Sequence, residues 1–399
     1  MSEYQYYEFR ALDRRLTAEQ QRRLRALSSR AEISATRFTN EYSFGDFRGD
    51  PGRLLEEYFD AYLYAANWGT RELAFRLPRT LLNADTARRY CNDDERAWVT
   101  QTAEHVIVRF RWDDDEGDDW IEGQGLLDPL IEARSELATG DLRLLYLGWL
   151  LKVQMSGLHD DDEDPDDEEL DNEDLEDQVE PPVPAGLREL SDPLASVAEF
   201  LKIDGDLIAT AAQASAPLVP VSDDGIADWV TALPTSEKDK FLTMVAEGEG
   251  AQVEALLVRR FRRESRPAGG AAASAGRTAG ELLAGAEARR AARKAAEARA
   301  REEARARRAA EQAAAHERHL EKLAGRKDET WQQVEKLTML SKPKEYDQAT
   351  QLLTDLHEIA RREDGIAAFT ARVRELRTRY AKRPSLMERF DKAGLPRLE

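Results

Sequence analysis

The chain has 399 residues, with 58 Lys and Arg against 78 Asp and Glu and a net charge of -20, enough length for two or three domains. Residues 266–399 hold 29 Lys+Arg and 21 Asp+Glu (+8), which leaves 29 and 57 (-28) for residues 1–265; the acidic N-terminal part repels nucleic acid at long range, which puts any nucleic-acid contact in the C-terminal third. A single cysteine, Cys91, excludes an intramolecular disulfide and a cysteine-cluster zinc site.

In chain order, the aromatic-rich Tyr4–Leu12 predicts a strand. Thr17 and Gln20 form a capping box that opens a helix carrying Leu24 and Leu27. Arg37–Phe44 alternates aromatic and polar residues and predicts a second strand. Asp50-Pro51 is a cap followed by proline at the first helical position. The spacing of Leu54, Leu55, Tyr58, Phe59, Tyr62 and Leu63 carries that helix to about Asn67. Arg71–Leu77 predicts a third strand, Arg79–Cys91 one or two helical turns, and His105–Trp112, within Trp98–Trp112, the clearest strand. Asp128–Ser156 predicts two helices split near Gly140, the second apolar on most faces and so buried.

Asp160–Glu180 holds 15 acidic residues in 21 and predicts a disordered linker. Short helices return over 187–263, a glycine-, alanine- and serine-rich hinge follows, and then comes an Ala/Arg/Glu helix. Over 278–324 that helix would be about 70 Å long at about 1.5 Å per residue. Its i,i+4 pairs, such as Glu297–Arg301 and Arg307–Glu311, favour a solvated spacer, and it lacks a leucine seam. Shorter helices at Asp328–Leu340, Lys344–Arg362, Gly365–Lys382 and Pro384–Gly394 close the chain and resemble a tetratricopeptide-type unit.

The expected fold class is therefore α+β: a small mixed sheet with helices, an all-α bundle, a long charged helix and a C-terminal helical hairpin. The expected divisions are 1–158, an acidic linker 159–184, a bundle 185–265, a hinge 266–277, the helix 278–325 and the hairpin domain 326–399.

The sequence carries no phosphate loop, nucleophile elbow or dinucleotide fingerprint, so no catalytic residue and no cofactor is assigned. The acidic loop at Asp113 fails the EF-hand pattern, because Asp118 stands where glycine is required and Gln124 where glutamate is. His316 and His319 are three apart rather than the four of a zinc-protease helix. His105 reads as a core or edge histidine, and the acids after Cys91 disfavour a reactive thiolate. The aromatics Tyr4, Tyr6, Tyr7, Phe9, Phe38, Tyr42, Phe44 and Phe47 read as core, with a binding face as the alternative. Candidate partner-binding residues are Trp331, Tyr346, Leu353, Phe369 and Tyr380. Candidate nucleic-acid contacts are Arg289, Arg290, Arg293, Lys294, Arg305, Arg307 and Arg308, with interleaved glutamates arguing against them.

Tyr346–Ala349, Leu352–Leu356 and Arg383–Leu395 resemble the tail of bacterial SWIM zinc-finger proteins. One cysteine cannot supply the finger, so zinc does not carry over. Tyr4–Phe9 through Asn67–Thr70 resembles an uncharacterised, actinobacterial-type bacterial family. The resemblance implies a bacterial cytoplasmic protein with a docking-type helical module. The absence of a signal-peptide pattern, and an apolar window at Leu142–Val153 too short to span a bilayer, point the same way. The leading expectation is a non-enzymatic adaptor that docks a protein partner through its C-terminal helices. The alternatives are an enzyme or nucleotide binder using the N-terminal domain, with a pocket at Phe44–Asp50, Asn67–Thr70 and His105, and a nucleic-acid accessory protein.

Overall fold

The structure, a computed structural model, describes residues 4–92, 95–113, 121–156, 177–218, 225–265 and 276–397. It divides into two compact units, Met1–Arg293 and Lys294–Glu399.

The first unit is built on a seven-stranded sheet of order β2-β3-β1-β4-β5-β7-β6. The strands are β1 (Gln5–Arg10), β2 (Glu32–Ile33), β3 (Arg37–Tyr42), β4 (Ala61–Ala66), β5 (Arg71–Pro78), β6 (Ala97–Gln101) and β7 (His105–Trp112). Every pairing is antiparallel, so the α+β class holds but the expected mixed sheet is corrected. Short links such as 67–70 and 102–104 return the chain directly alongside itself, which only antiparallel neighbours allow.

The helices of this unit are α1 (Ala18–Leu27), α2 (Pro51–Glu57), α3 (Ala84–Arg88), α4 (Ile131–Ala138), α5 (Arg143–Ser156), α6 (Asp192–Phe200), α7 (Gly205–Ala211), α8 (Ile226–Ala232), α9 (Thr235–Ala246) and α10 (Gly250–Ser265). α11 (Ala279–Ala324) begins here and continues into the second unit. The Thr17 capping box and the Asp50 cap form as the sequence dictates.

α2 stops at Glu57, and the residues expected to extend it become β4. The apolar spacing of Leu54 to Leu63 fits a helix as well as a strand. Long-range contacts decide for the strand: the Asp60 carboxylate accepts the N–H groups of Leu12 and Asp13 and pairs with Arg76, pinning the chain between β1 and β5. From there Tyr62 and Leu63 turn to opposite faces of the sheet.

One face packs Tyr7, Phe9, Phe38, Tyr62 and Ala74 against Leu24 of α1 and Leu54, Leu55 and Phe59 around α2. The other packs Tyr6, Leu63, Phe75, Val108 and Phe110 against α4 to α7 and the first turns of α11. α5 is buried almost throughout, as its all-round apolar sequence requires. Gly148 lets it close on β7: a Cβ there would stand 2.4 Å from the Phe110 ring.

The core does not respect the expected boundaries at 158 and 185. Val183, Leu187, Leu194, Leu207 and Leu282 share one cluster with the sheet. Residues 177–184, expected to end a disordered linker, are packed. Glu180 is fully buried, ion-paired to Arg277 at 2.8 Å and hydrogen-bonded by the Tyr146 hydroxyl. A short antiparallel ladder, Ala279 N–H to Gln178 C=O and Glu180 N–H to Arg277 C=O, fixes the start of α11. The rest of the acidic run, 157–176, and most of the hinge, 266–275, lie outside the described residues. The expected bundle over 185–265 is also divided: α6 and α7 join the sheet core, whereas α10 covers α4 and buries Val253 and Phe261.

The second unit contains α12 (Lys327–Met339), α13 (Pro343–Arg362), α14 (Ile366–Arg379) and α15 (Pro384–Lys392). Their apolar stripes meet in one core that includes Val334, Leu353, Val373 and Phe390. Leu320 at the end of α11 is buried, and Arg362 of α13 pairs with Glu317 at 2.6 Å. In contrast, every residue of α11 from 287 to 319 is exposed.

Candidate interaction site

The five residues expected to dock a partner are corrected. Trp331, Tyr346, Leu353 and Phe369 are buried in the second unit's own core, and Tyr380 is half-buried against it. The helical period that flagged them is the period of any core-facing stripe, and the stripes face each other. Among the candidate nucleic-acid contacts, Arg290 pairs with Asp204, while Arg289 and Arg293 approach Asp206 at 3.7 and 2.9 Å. Lys294, Arg305, Arg307 and Arg308 are exposed on α11, with Arg307 held by Glu311 at 3.0 Å. His316 and His319 face Glu358 and Asp355 of α13 at 3.2 and 3.0 Å. Each thus has a carboxylate partner rather than a shared metal geometry. No cluster of three or more metal-ligating side chains occurs among the described residues. The acidic loop beyond Asp113 lies outside them.

The buried carboxylates Glu8 and Asp60 of the first unit are ion-paired within it. Glu8 takes Arg10 at 2.6 Å, Arg37 at 3.0 Å and the Tyr6 hydroxyl at 2.7 Å. Asp60 takes Arg76 at 2.7 Å. Cys91 lies in the core, where burial pushes its thiol well above the usual range. His105 is half-buried at the start of β7, and burial, then Arg76, lowers its pKa. Of the flagged N-terminal aromatics, Tyr4 and Tyr42 are half-buried, Phe44 is exposed and the others are core. Glu8, Asp60, Cys91 and His105 are each bonded to or packed against neighbouring residues of the fold.

The open geometry lies at the other end of the sheet. The register turns Glu72 and Ala74 of β5, Ile107, Arg109 and Arg111 of β7, and Trp98 and Thr100 of β6 to one face. α2 covers the inner part of that face, and a Cβ on Gly52 would stand 3.2 Å from Arg109 Nη2. Between α2 and β6 runs a shallow groove of about 540 Å³, floored by Glu72, Ile107 and Arg109 and walled by Trp98 and Thr100. Arg109 and Glu72 pair at 3.0 Å, and burial pushes the Glu72 carboxyl above its ordinary value against the pull of Arg109. Trp98 is half-buried and Thr100 exposed. The groove is lined by Asp50, but not by Phe44, Asn67–Thr70 or His105, so the pocket expected for an enzyme does not assemble from those segments.

The outer wall of the groove is an edge strand. Arg111 donates to the Arg96 carbonyl at 2.8 Å and Thr102 to the His105 carbonyl at 2.9 Å. By antiparallel alternation, Trp98 and Thr100 then turn their main-chain groups toward β7, and Val99 and Gln101 turn theirs outward. Among the described residues, none donates to or accepts from these outward groups. Sequence reasoning absorbed Ala97–Gln101 into the approach to β7. The signal that could have separated it is the aromatic and β-branched run Trp98-Val99-Thr100, followed by a turn at Thr102–His105.

Comparison with protein-family models, with curated proteins and with solved structures gave no match.

Proposed function

We propose that the protein is a non-enzymatic interaction protein of the cytoplasm whose first unit docks an extended polypeptide strand along β6. One observation carries the reading: a main-chain edge at Val99 and Gln101, unpaired among the described residues, stands beside an open sheet face bearing Trp98. Strand addition needs this combination, because main-chain hydrogen bonds supply affinity and alternate side chains supply selectivity. Natural sheet edges are blunted by lysine, proline or a bulge. Ala97-Trp98-Val99-Thr100-Gln101 contains neither lysine nor proline and pairs with β7 in unbroken register. The absence, among the described residues, of a helix long and apolar enough to cross a membrane is compatible with the same reading.

The test is a photo-reactive amino acid at Thr100 of the full chain, irradiated in native-like bacterial lysate beside a control at exposed Arg22 on α1. Docking at β6 gives a discrete polypeptide adduct at 100 and not at 22. Equal labelling at both positions, or none at 100, refutes it.

A second reading, nucleic-acid binding through α11, is supported by the exposed Arg301, Arg305 and Arg308, which line one face of the helix. It requires affinity that falls steeply with salt and is lost on reversing Arg305 and Arg308 to Glu.

A further inference from the structure

We propose that the strand docked on β6 is β6 of a second copy of this chain, joined about a two-fold axis centred on Val99. This rests on the edge-docking reading and names its partner.

The outward groups belong to Val99 and its alternate neighbours, so an antiparallel partner centred there exchanges both hydrogen bonds of Val99 with its own copy. The same axis sets Trp98 opposite Thr100 of the second copy and Ala97 opposite Gln101 of the second copy. A two-fold interface requires such self-complementarity. The charge pattern agrees, since like charges directly opposite destabilise a pair. Outward from the centre, Arg96 meets Thr102 and Glu95 meets Ala103, so no charge faces its own kind. Trp98 gives the register its second feature. It lies diagonal to the second copy's Trp98 on the same open face, within about 7–8 Å, a spacing that aromatic side chains bridge. Each indole, half-buried in one copy, would then be covered by the other. The two sheets would merge into one, and the grooves beside β6 would become continuous.

The opposing force is charge. Each copy carries -20, and the repulsion is screened by salt. Association through main-chain bonds and indole burial must therefore strengthen as salt rises, whereas a cationic peptide on the same edge would bind more weakly.

Sedimentation of the full chain at two ionic strengths is the first measurement, on wild type and Val99→Pro. Proline removes the outward N–H and leaves every bond to β7 in place. The expected result is a monomer–dimer equilibrium that tightens with salt and is weakened about tenfold or more by Val99→Pro, with circular dichroism unchanged. If Val99→Pro fails to fold, Trp98→Ala, which keeps the main chain, is expected to weaken the dimer in the same direction. The photo-reactive group at Thr100 should give an adduct of twice the chain mass, mapping to residues 96–102 of the second copy. A monomer at all concentrations and salts overturns the proposal. So does a dimer indifferent to both substitutions. An adduct at Thr100 with a different polypeptide, from a chain that sediments as a monomer, overturns the second copy but leaves edge docking standing. No adduct at all removes both.

Discussion

Replacing Asp60 by Asn tests whether the first unit depends on a buried carboxylate at the point where α2 gives way to β4. The Asp60 side chain is 1% exposed; it accepts from Arg76 Nη2 at 2.7 Å and lies 4.0 Å from Arg134, whose side chains are 5% and 7% exposed. It also accepts the main-chain N–H of Leu12 at 2.6 Å and of Asp13 at 2.9 Å. Asparagine retains one acceptor oxygen but turns an NH₂ group toward donors and leaves the Arg76 guanidinium in the core without its anion, while Arg134 keeps Asp13 at 2.6 Å. Removing one partner of a buried pair costs about 3–5 kcal/mol. The control is Glu19→Gln: Glu19 pairs with Arg23 on α1 with side chains 63% and 65% exposed, and such surface pairs contribute about 0–1 kcal/mol. Native-state hydrogen exchange on peptides covering β4 and β5 reads the loss in the first unit alone. The pH arm has a definite sign. Burial works to raise the Asp60 pKa, but Arg134 and Arg76 outweigh it and hold it below 3.8. Its contribution is therefore complete above the ordinary carboxylate range of about 3.9 and is lost as the pH falls through the lower folded value. The wild type should lose this increment on acidification below about pH 4, and Asp60→Asn should not. A loss under about 1 kcal/mol, or one equal to that of Glu19→Gln, would refute the account.

Gly148→Ala sets helix propensity, a gain of about 1 kcal/mol, against a clash with the Phe110 ring, an overpacking cost of about 1–3 kcal/mol. Urea unfolding should show net destabilisation. Leu353→Ala should lower the stability of the second unit by about 2–5 kcal/mol, because Leu353 is 0% exposed in its core. A variant that alters partner binding while leaving hydrogen exchange of α13 unchanged would contradict that placement. The Cys91 thiol, buried beside α5, should stay inert to an aromatic disulfide in native buffer and react fully in urea.

Some of this molecule was legible residue by residue. The Ala/Arg/Glu composition of α11 sets a long helix, because each residue favours it independently of context. Thr17 and Asp50 set helix starts, since a cap acts only on N–H groups two or three residues away. The alternating run His105–Trp112 sets β7, and the apolar faces of α13 and α15 are readable from their spacing. The same spacing could not say what those faces meet. A stripe that buries Trp331 and Leu353 against sister helices looks identical, in sequence, to one awaiting a partner.

Only the tertiary structure decided that Tyr62 belongs to a strand, because the deciding groups, the N–H of Leu12 and Asp13 and the guanidinium of Arg76, lie far along the chain. Only it placed Glu180 and Leu207 in the core of the sheet domain, where Arg277 neutralises the one and the cluster under β7 encloses the other. The open edge at β6 is of the same kind. Trp98, Val99 and Thr100 form a strand by local preference, but that it is the last strand of the sheet among the described residues follows from the order in which seven segments pair. Propensity and capping act over a few residues, while pairing order and burial are set by contacts between residues many positions apart.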